Sequence, residues 1–132
     1  MAEDRRKTIL KHLEGCGMEI LAADRCRDAL RILEANPDAG VVLTDCSLPD
    51  GDWATLLSGV AKCSGVTQVI LCMRVADPML WIDALEVGVY DVLVEPYEGG
   101  EVRRIVAAAL GQNRRPPPGG RSRFAQRQRP AA

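Results

Sequence analysis

At 132 residues, with 47% hydrophobic and 27% charged content, the chain has the size and balance of one soluble globular domain with a real core. No apolar run approaches membrane-spanning length, and the start Met1-Ala2-Glu3-Asp4-Arg5-Arg6-Lys7 lacks the apolar stretch of a signal peptide, so a cytoplasmic location and no membrane partner are expected. The net charge of −1 hides an asymmetry: six arginines and no acid lie from Gln112 onward, while the first 111 residues hold 11 basic and 18 acidic groups. Five cysteines (Cys16, Cys26, Cys46, Cys63, Cys72) with no C-x-x-C pair, and a single histidine, argue against a disulfide framework or a zinc site.

In chain order, Asp4 to Gly15 reads as a helix with Ile9, Leu10 and Leu13 on one face, ended by Gly15 and Gly17. Met18 to Ala22 reads as a short strand. Asp24 is positioned to cap a second helix, with Ala29, Leu30, Ile32 and Leu33 inward, that Asn36-Pro37 ends. Val41-Val42-Leu43-Thr44-Asp45 is an uninterrupted apolar run that stops on a carboxylate, as a strand buried on both faces does. Pro49-Asp50-Gly51 turns the chain and Asp52 caps a helix from Trp53 to Ala61. Val66 to Met73 is another buried strand. Asp77-Pro78 starts a helix that Gly88 closes, Val89 to Val94 is the last strand, and Glu98 to Leu110 the last helix.

Strands alternating with helices predict an α/β fold, a doubly wound parallel sheet with right-handed crossovers. Residues 1–111 form the domain. Residues 112–132, with Pro116-Pro117-Pro118-Gly119-Gly120, lack the apolar content to fold and are expected to be a disordered Arg/Pro-rich tail. In open sheets of this kind, ligand chemistry sits at the C-terminal strand ends, which singles out Asp45.

Two segments carry a family resemblance: Val41-Val-Leu-Thr-Asp45-Cys-Ser-Leu-Pro49-Asp-Gly-Asp52, and Ala84-Leu-Glu-Val-Gly88-Val-Tyr-Asp91-Val-Leu-Val-Glu95-Pro96-Tyr97. In this order and spacing they resemble the receiver domain of two-component response regulators, the phosphoacceptor module of phosphorelays, over roughly Asp4 to Leu110. The resemblance implies a flavodoxin-like sheet of order 2-1-3-4-5. It makes Asp45 the acceptor of a phosphoryl group, with Mg2+ as cofactor and a sensor histidine kinase or phosphotransfer protein as donor. It also implies a cation held by Asp45, by Asp4, and by a carbonyl two residues after the acceptor, at Ser47. The surface around the fourth helix and fifth strand is where such domains meet a downstream protein partner, which nominates Tyr90, Tyr97 and Arg74. Cys46 is read as packing rather than a redox sensor, Asp50 and Asp52 as turn and cap residues, and Trp53 and Trp81 as partly buried.

The sequence departs from the family pattern at each supporting position. Glu95 stands where the family has a lysine, often joined to the proline by a cis bond. Met73 stands where it has a hydroxyl, and no strand precedes the first helix, leaving only Glu3-Asp4 for the acidic pair. The absent strand belongs in the middle of the sheet, so the Met18 and Val41 strands would each present an unpaired edge. Three resolutions stand side by side: a coding start further upstream, direct pairing of those two strands, or another chain filling the gap.

Two functions therefore compete: a receiver phosphorylated on Asp45 with output through protein contact, and a degenerate pseudo-receiver acting unphosphorylated as an interaction module. A phosphatase-like enzyme with Asp45 as nucleophile lacks a second acid two residues on and a nearby histidine or lysine to act as acid or base. The arginine tail has one aromatic, Phe124, and no recognition-helix pattern, so a nucleic-acid partner is not expected.

Overall fold

The computed structural model describes residues 3–112. The elements run α1 (Glu3–Leu13), α2 (Cys26–Ala35), β1 (Val41–Asp45), β2 (Ser47–Leu48), β3 (Gly51–Asp52), α3 (Trp53–Cys63), β4 (Gln68–Met73), α4 (Pro78–Val87), β5 (Asp91–Val94) and α5 (Gly99–Gln112). Strands β1, β4 and β5 form one parallel sheet in the order β1-β4-β5, with Asp45 opposite Cys72 and Met73 opposite Val94. Strands β2 and β3 make a small antiparallel hairpin around Pro49-Asp50. The Arg/Pro-rich tail expected over 112–132 lies outside the described residues, apart from Gln112 at the end of α5.

β4 shows why the sheet is covered on both sides. Ile70 and Cys72 face a core shared with Ile9 and Leu13 of α1 and Val102, Ile105 and Val106 of α5. Val69, Leu71 and Met73 alternate to the other face, against Leu33 of α2, Leu56 and Val60 of α3, and Ala84 of α4. Every position from Val69 to Met73 is essentially solvent-free, which is what an all-apolar strand in the sheet centre requires.

Helix boundaries follow local chemistry. Asp77 caps α4 by accepting from the Leu80 N–H at 3.1 Å, Pro78 occupies the first turn, and Gly88 closes the helix with a φ of 119°, a conformation that disfavours a Cβ. Asp52 caps α3 through the Thr55 N–H at 2.9 Å. The cap of α2 differs from expectation. Its N-cap residue is Arg25, with no side-chain cap, and Asp24 instead pairs with Arg6 of α1. The carboxylate that serves α2 comes from 24 residues away, where Asp50 accepts from the Cys26 and Arg27 N–H groups at 2.8 and 3.0 Å. The β2–β3 turn therefore docks on the start of α2.

Met18 to Ala22 is not a strand: residues 18–23 carry no regular structure, and β1 is paired on its β4 side alone among the described residues. Direct pairing of the two segments is thus not the resolution adopted. Among the described residues no strand lies beside Met18 to Ala22 for it to pair with. The segment instead borders a cavity of about 400 Å³ between α1, α2 and the open side of β1, lined by Ile9, Leu13, Ile32, Val41 and Leu43. Ile20 and Leu21 remain 40% and 51% exposed there.

Leu71, fully buried at the sheet centre, sets the scale of the core: Leu71→Ala should cost about 2–5 kcal/mol by denaturant unfolding. Asp50→Ala should lower the melting temperature, because it strips the cap from α2. The Arg27 and Cys26 N–H groups lower the Asp50 pKa below its ordinary 3.8 on folding. That stabilisation is therefore complete above the ordinary aspartate value and is lost as pH falls through the lowered folded value. The gap between Asp50→Ala and the parent, in thermal melts across the acid range, should close in that direction.

Candidate functional site

The C-terminal ends of the three sheet strands bring Asp45, Met73 and Glu95 to one edge. Asp45 is the last residue of β1, Met73 the last of β4, and Glu95 follows β5, its N–H donating to the Met73 carbonyl at 2.9 Å. The peptide bond from Glu95 to Pro96 is cis.

The residue that organises this edge is Arg5. Its Nη2 donates to Asp45 Oδ2 in a short charge-assisted contact, and its Nε lies 3.8 Å from Glu95 Oε1. The Arg5 and Asp45 side chains are each only 13% exposed, whereas Glu95 is 31% exposed, so the tighter of the two pairings is also the one shielded from water. The second Asp45 oxygen, Oδ1, accepts from the Cys46 N–H at 2.9 Å. The Arg5 Nε is buried with no hydrogen-bond partner, leaving one donor of the fork unspent beside two carboxylates.

Helix α1 is fixed over the site at several other points. Ile9 and Leu13 sit in the core, a His12 ring nitrogen lies 3.0 Å from the Tyr97 carbonyl, and Arg6 reaches Asp24. The Arg6 guanidinium holds the Asp24 carboxyl below its ordinary range. Arg5, Ile9 and Leu13 follow an i, i+4, i+8 spacing, so the stripe that buries two apolar residues also aims the guanidinium at the sheet edge.

The other nominated residues are placed as follows. Asp4 is exposed in the first turn of α1, and its neighbour Arg5 is the residue that reaches Asp45. Ser47 is exposed and pairs with Asp52 in the hairpin. Met73 is 1% exposed and presents a thioether where the family pattern has a hydroxyl. Tyr90 and Tyr97, nominated as contact surface, are 2% and 8% exposed and belong to the core on the α1–α5 side. That expectation is corrected: the Tyr97 hydroxyl turns inward to donate to the Met73 carbonyl at 3.4 Å, and burial pushes its pKa up. Arg74 is exposed, and Trp53 and Trp81 pack against the opposite core. Sequence reasoning missed Arg5, although its place four residues before Ile9 on the apolar stripe was the available signal.

Mg2+, which the resemblance implies, does not suit these donors. Among the described residues no three or more His, Cys, Asp or Glu side chains converge on a point. One Asp45 oxygen is held by a backbone N–H and the other by a guanidinium, which has no lone pair to offer a metal.

The thiols around the edge are set by burial. Cys72 is buried, its pKa pushed up to about 12 by desolvation with the Asp45 carboxylate adding to it, and Cys46 is raised for the same two reasons. Cys46 packs against the core and its thiol contacts the Cys72 carbonyl at 3.6 Å, as a packing residue does. Iodoacetamide at mildly alkaline pH, followed by peptide mass mapping, should therefore label exposed Cys16 first and leave Cys72 unmodified until the protein is unfolded.

Residues 2–107 match the family model of the response regulator receiver domain. The chain is 32% identical over 95 residues to the regulatory protein AtoC of Escherichia coli, covering 71% of this chain and 20% of that protein. It is 26% identical over 96 residues to the chemotaxis protein CheY of Bacillus subtilis, covering 71% and 78%. It thus spans about a fifth of the larger AtoC and most of CheY. Among solved structures, the signal receiver domain of a Luxo repressor protein from Vibrio parahaemolyticus superposes with a TM-score of 0.78 at 18% identity, covering 86% of both chains. A receiver domain protein from Clostridium thermocellum gives 0.77 at 24% identity, covering 86% of this chain and 90% of that one. These share the doubly wound flavodoxin-like fold. The chain belongs to the response regulator receiver domains of two-component signalling.

Proposed function

We propose that this chain is a receiver module whose Asp45 accepts a phosphoryl group from a sensor histidine kinase or a phosphotransfer protein, with output through a protein partner. The observation that carries the reading is the placement of a carboxylate at the end of β1 with a guanidinium on it. An anionic donor can approach Asp45 only where its negative charge is met by a cation, and Arg5 provides one. Phosphorylation would replace the single negative charge of the Asp45 carboxylate with the about 1.5 to 2 negative charges of a phosphoryl group beside Arg5. The pairing of Arg5 with Glu95, the residue before Pro96, links that change to the β5–α5 connection. Output through contact is supported by α4 and the residues before it, where Val75, Met79 and Ile82 are 78%, 69% and 45% exposed.

The second reading, an interaction module that works unphosphorylated, is favoured by one specific feature. Glu95 keeps an anion where the family has a cation, and the buried Met73 supplies no hydroxyl to follow a phosphate. On that reading, partner binding survives Asp45→Asn unchanged.

Intact-mass spectrometry after incubation with acetyl phosphate and Mg2+ separates the two. A single phosphoryl adduct on the parent, absent from Asp45→Asn, is expected. A folded parent that takes no adduct would hand the site to the second reading.

A further inference from the structure

We propose that Arg5 is the resident cation of the Asp45 pocket, so that phosphoryl transfer to Asp45 proceeds without a divalent metal. The inference rests on Asp45 being the acceptor and adds which group neutralises the charge.

A carboxylate attacking a phosphodonor gathers three negative centres: its own oxygen, the phosphoryl oxygens and the leaving group. In this pocket a fourth, Glu95, stands alongside. A metal would need several oxygen ligands at its own spacing, and among the described residues the pocket offers one engaged carboxylate, a glutamate 31% exposed and no third acid converging on them. A guanidinium needs only planar N–H groups facing oxygens, which is what Arg5 already presents to Asp45 and, from 3.8 Å, to Glu95. Its buried Nε–H, without a hydrogen-bond partner, is a further donor for a phosphoryl oxygen. Little new ordering is needed, because Ile9, Leu13 and the His12–Tyr97 contact already hold α1 over the sheet edge.

The step balances without a metal. An Asp45 carboxylate oxygen attacks the phosphorus of an acyl phosphate and a new P–O bond forms. The P–O bond to the donor carboxylate breaks, and that carboxylate leaves with the electron pair. No proton or redox equivalent is consumed. Arg5 shifts from the carboxylate toward the transferred phosphoryl oxygens, and its hold on Glu95 weakens.

Two measurements test this on the whole chain. Titration calorimetry with Mg2+ alone should give no binding heat in the millimolar range, and saturable binding there would overturn the proposal. Intact-mass time courses with acetyl phosphate should show equal adduct formation in Mg2+ and in EDTA. They should slow roughly 100-fold in Arg5→Gln, the scale for removing one charge-stabilising donor. Arg5→Lys, which keeps the charge without the planar fork, should recover part of the rate, with circular dichroism checking that each variant is folded. An adduct that needs Mg2+, or one formed equally fast by folded Arg5→Gln, overturns the role of Arg5 and leaves Asp45 as acceptor. The absence of any adduct on folded parent protein, with or without Mg2+, overturns the acceptor reading and this proposal together.

Discussion

The carboxylate of Asp45 ends a buried strand, and its counter-charge in this chain is Arg5. Leaving Asp45 unpaired in a pocket that is nearly nine-tenths shielded would cost far more than a surface ion pair ever returns. The consequence is architectural. Arg5 is on α1, so the demand of one charge at the sheet edge fixes how the first helix lies across the domain. Ile9 and Leu13, one and two further turns along, then bury against Ile70, Cys72 and α5. The same guanidinium separates Asp45 from Glu95, which would otherwise confront each other as like charges.

Among the described residues β1 has a neighbour on its β4 side alone, and its remaining edge borders an apolar cavity. Helix α2 is held near that edge by Asp50, which reaches back from the β2–β3 turn, and by close packing on α3, where a Cβ on Gly59 would meet the Leu30 side chain at 2.6 Å. The hairpin, α2 and α3 thus form one unit that flanks Asp45, while α1 and α5 form another. Asp45 lies at their junction, where a change of charge would act on both.

Much of this was legible in the sequence. The apolar runs ending at Asp45, Met73 and Val94, the Asp77-Pro78 start and the Gly88 stop are strictly local signals, and each fixes an element wherever the rest of the chain lies. The position of Asp45 at the sheet edge followed from its strand end, and the family resemblance set Met73 and Glu95 beside it. What was not legible depends on distance in sequence. Asp24 looked like the cap of α2 because it is adjacent, yet Arg6 captures it and Asp50, far along the chain, does the capping. Met18 to Ala22 has strand composition, but composition cannot supply the neighbour a strand needs. Tyr90 and Tyr97 looked like surface by analogy, whereas aromatic bulk beside a sheet is more stable inside. Arg5 has no local signal beyond its place on the apolar stripe of α1, because its partner Asp45 lies 40 residues away.

Arg5 and Asp45 act on each other, and a double-mutant cycle on folding stability measures that coupling. Urea unfolding of the parent, Arg5→Gln, Asp45→Asn and the double variant should give a favourable coupling of about 1–3 kcal/mol, with Asp45→Asn costing little once Arg5 is gone. Effects that add to within about 0.5 kcal/mol would show that the two residues do not interact, and the account of the site would fail with them.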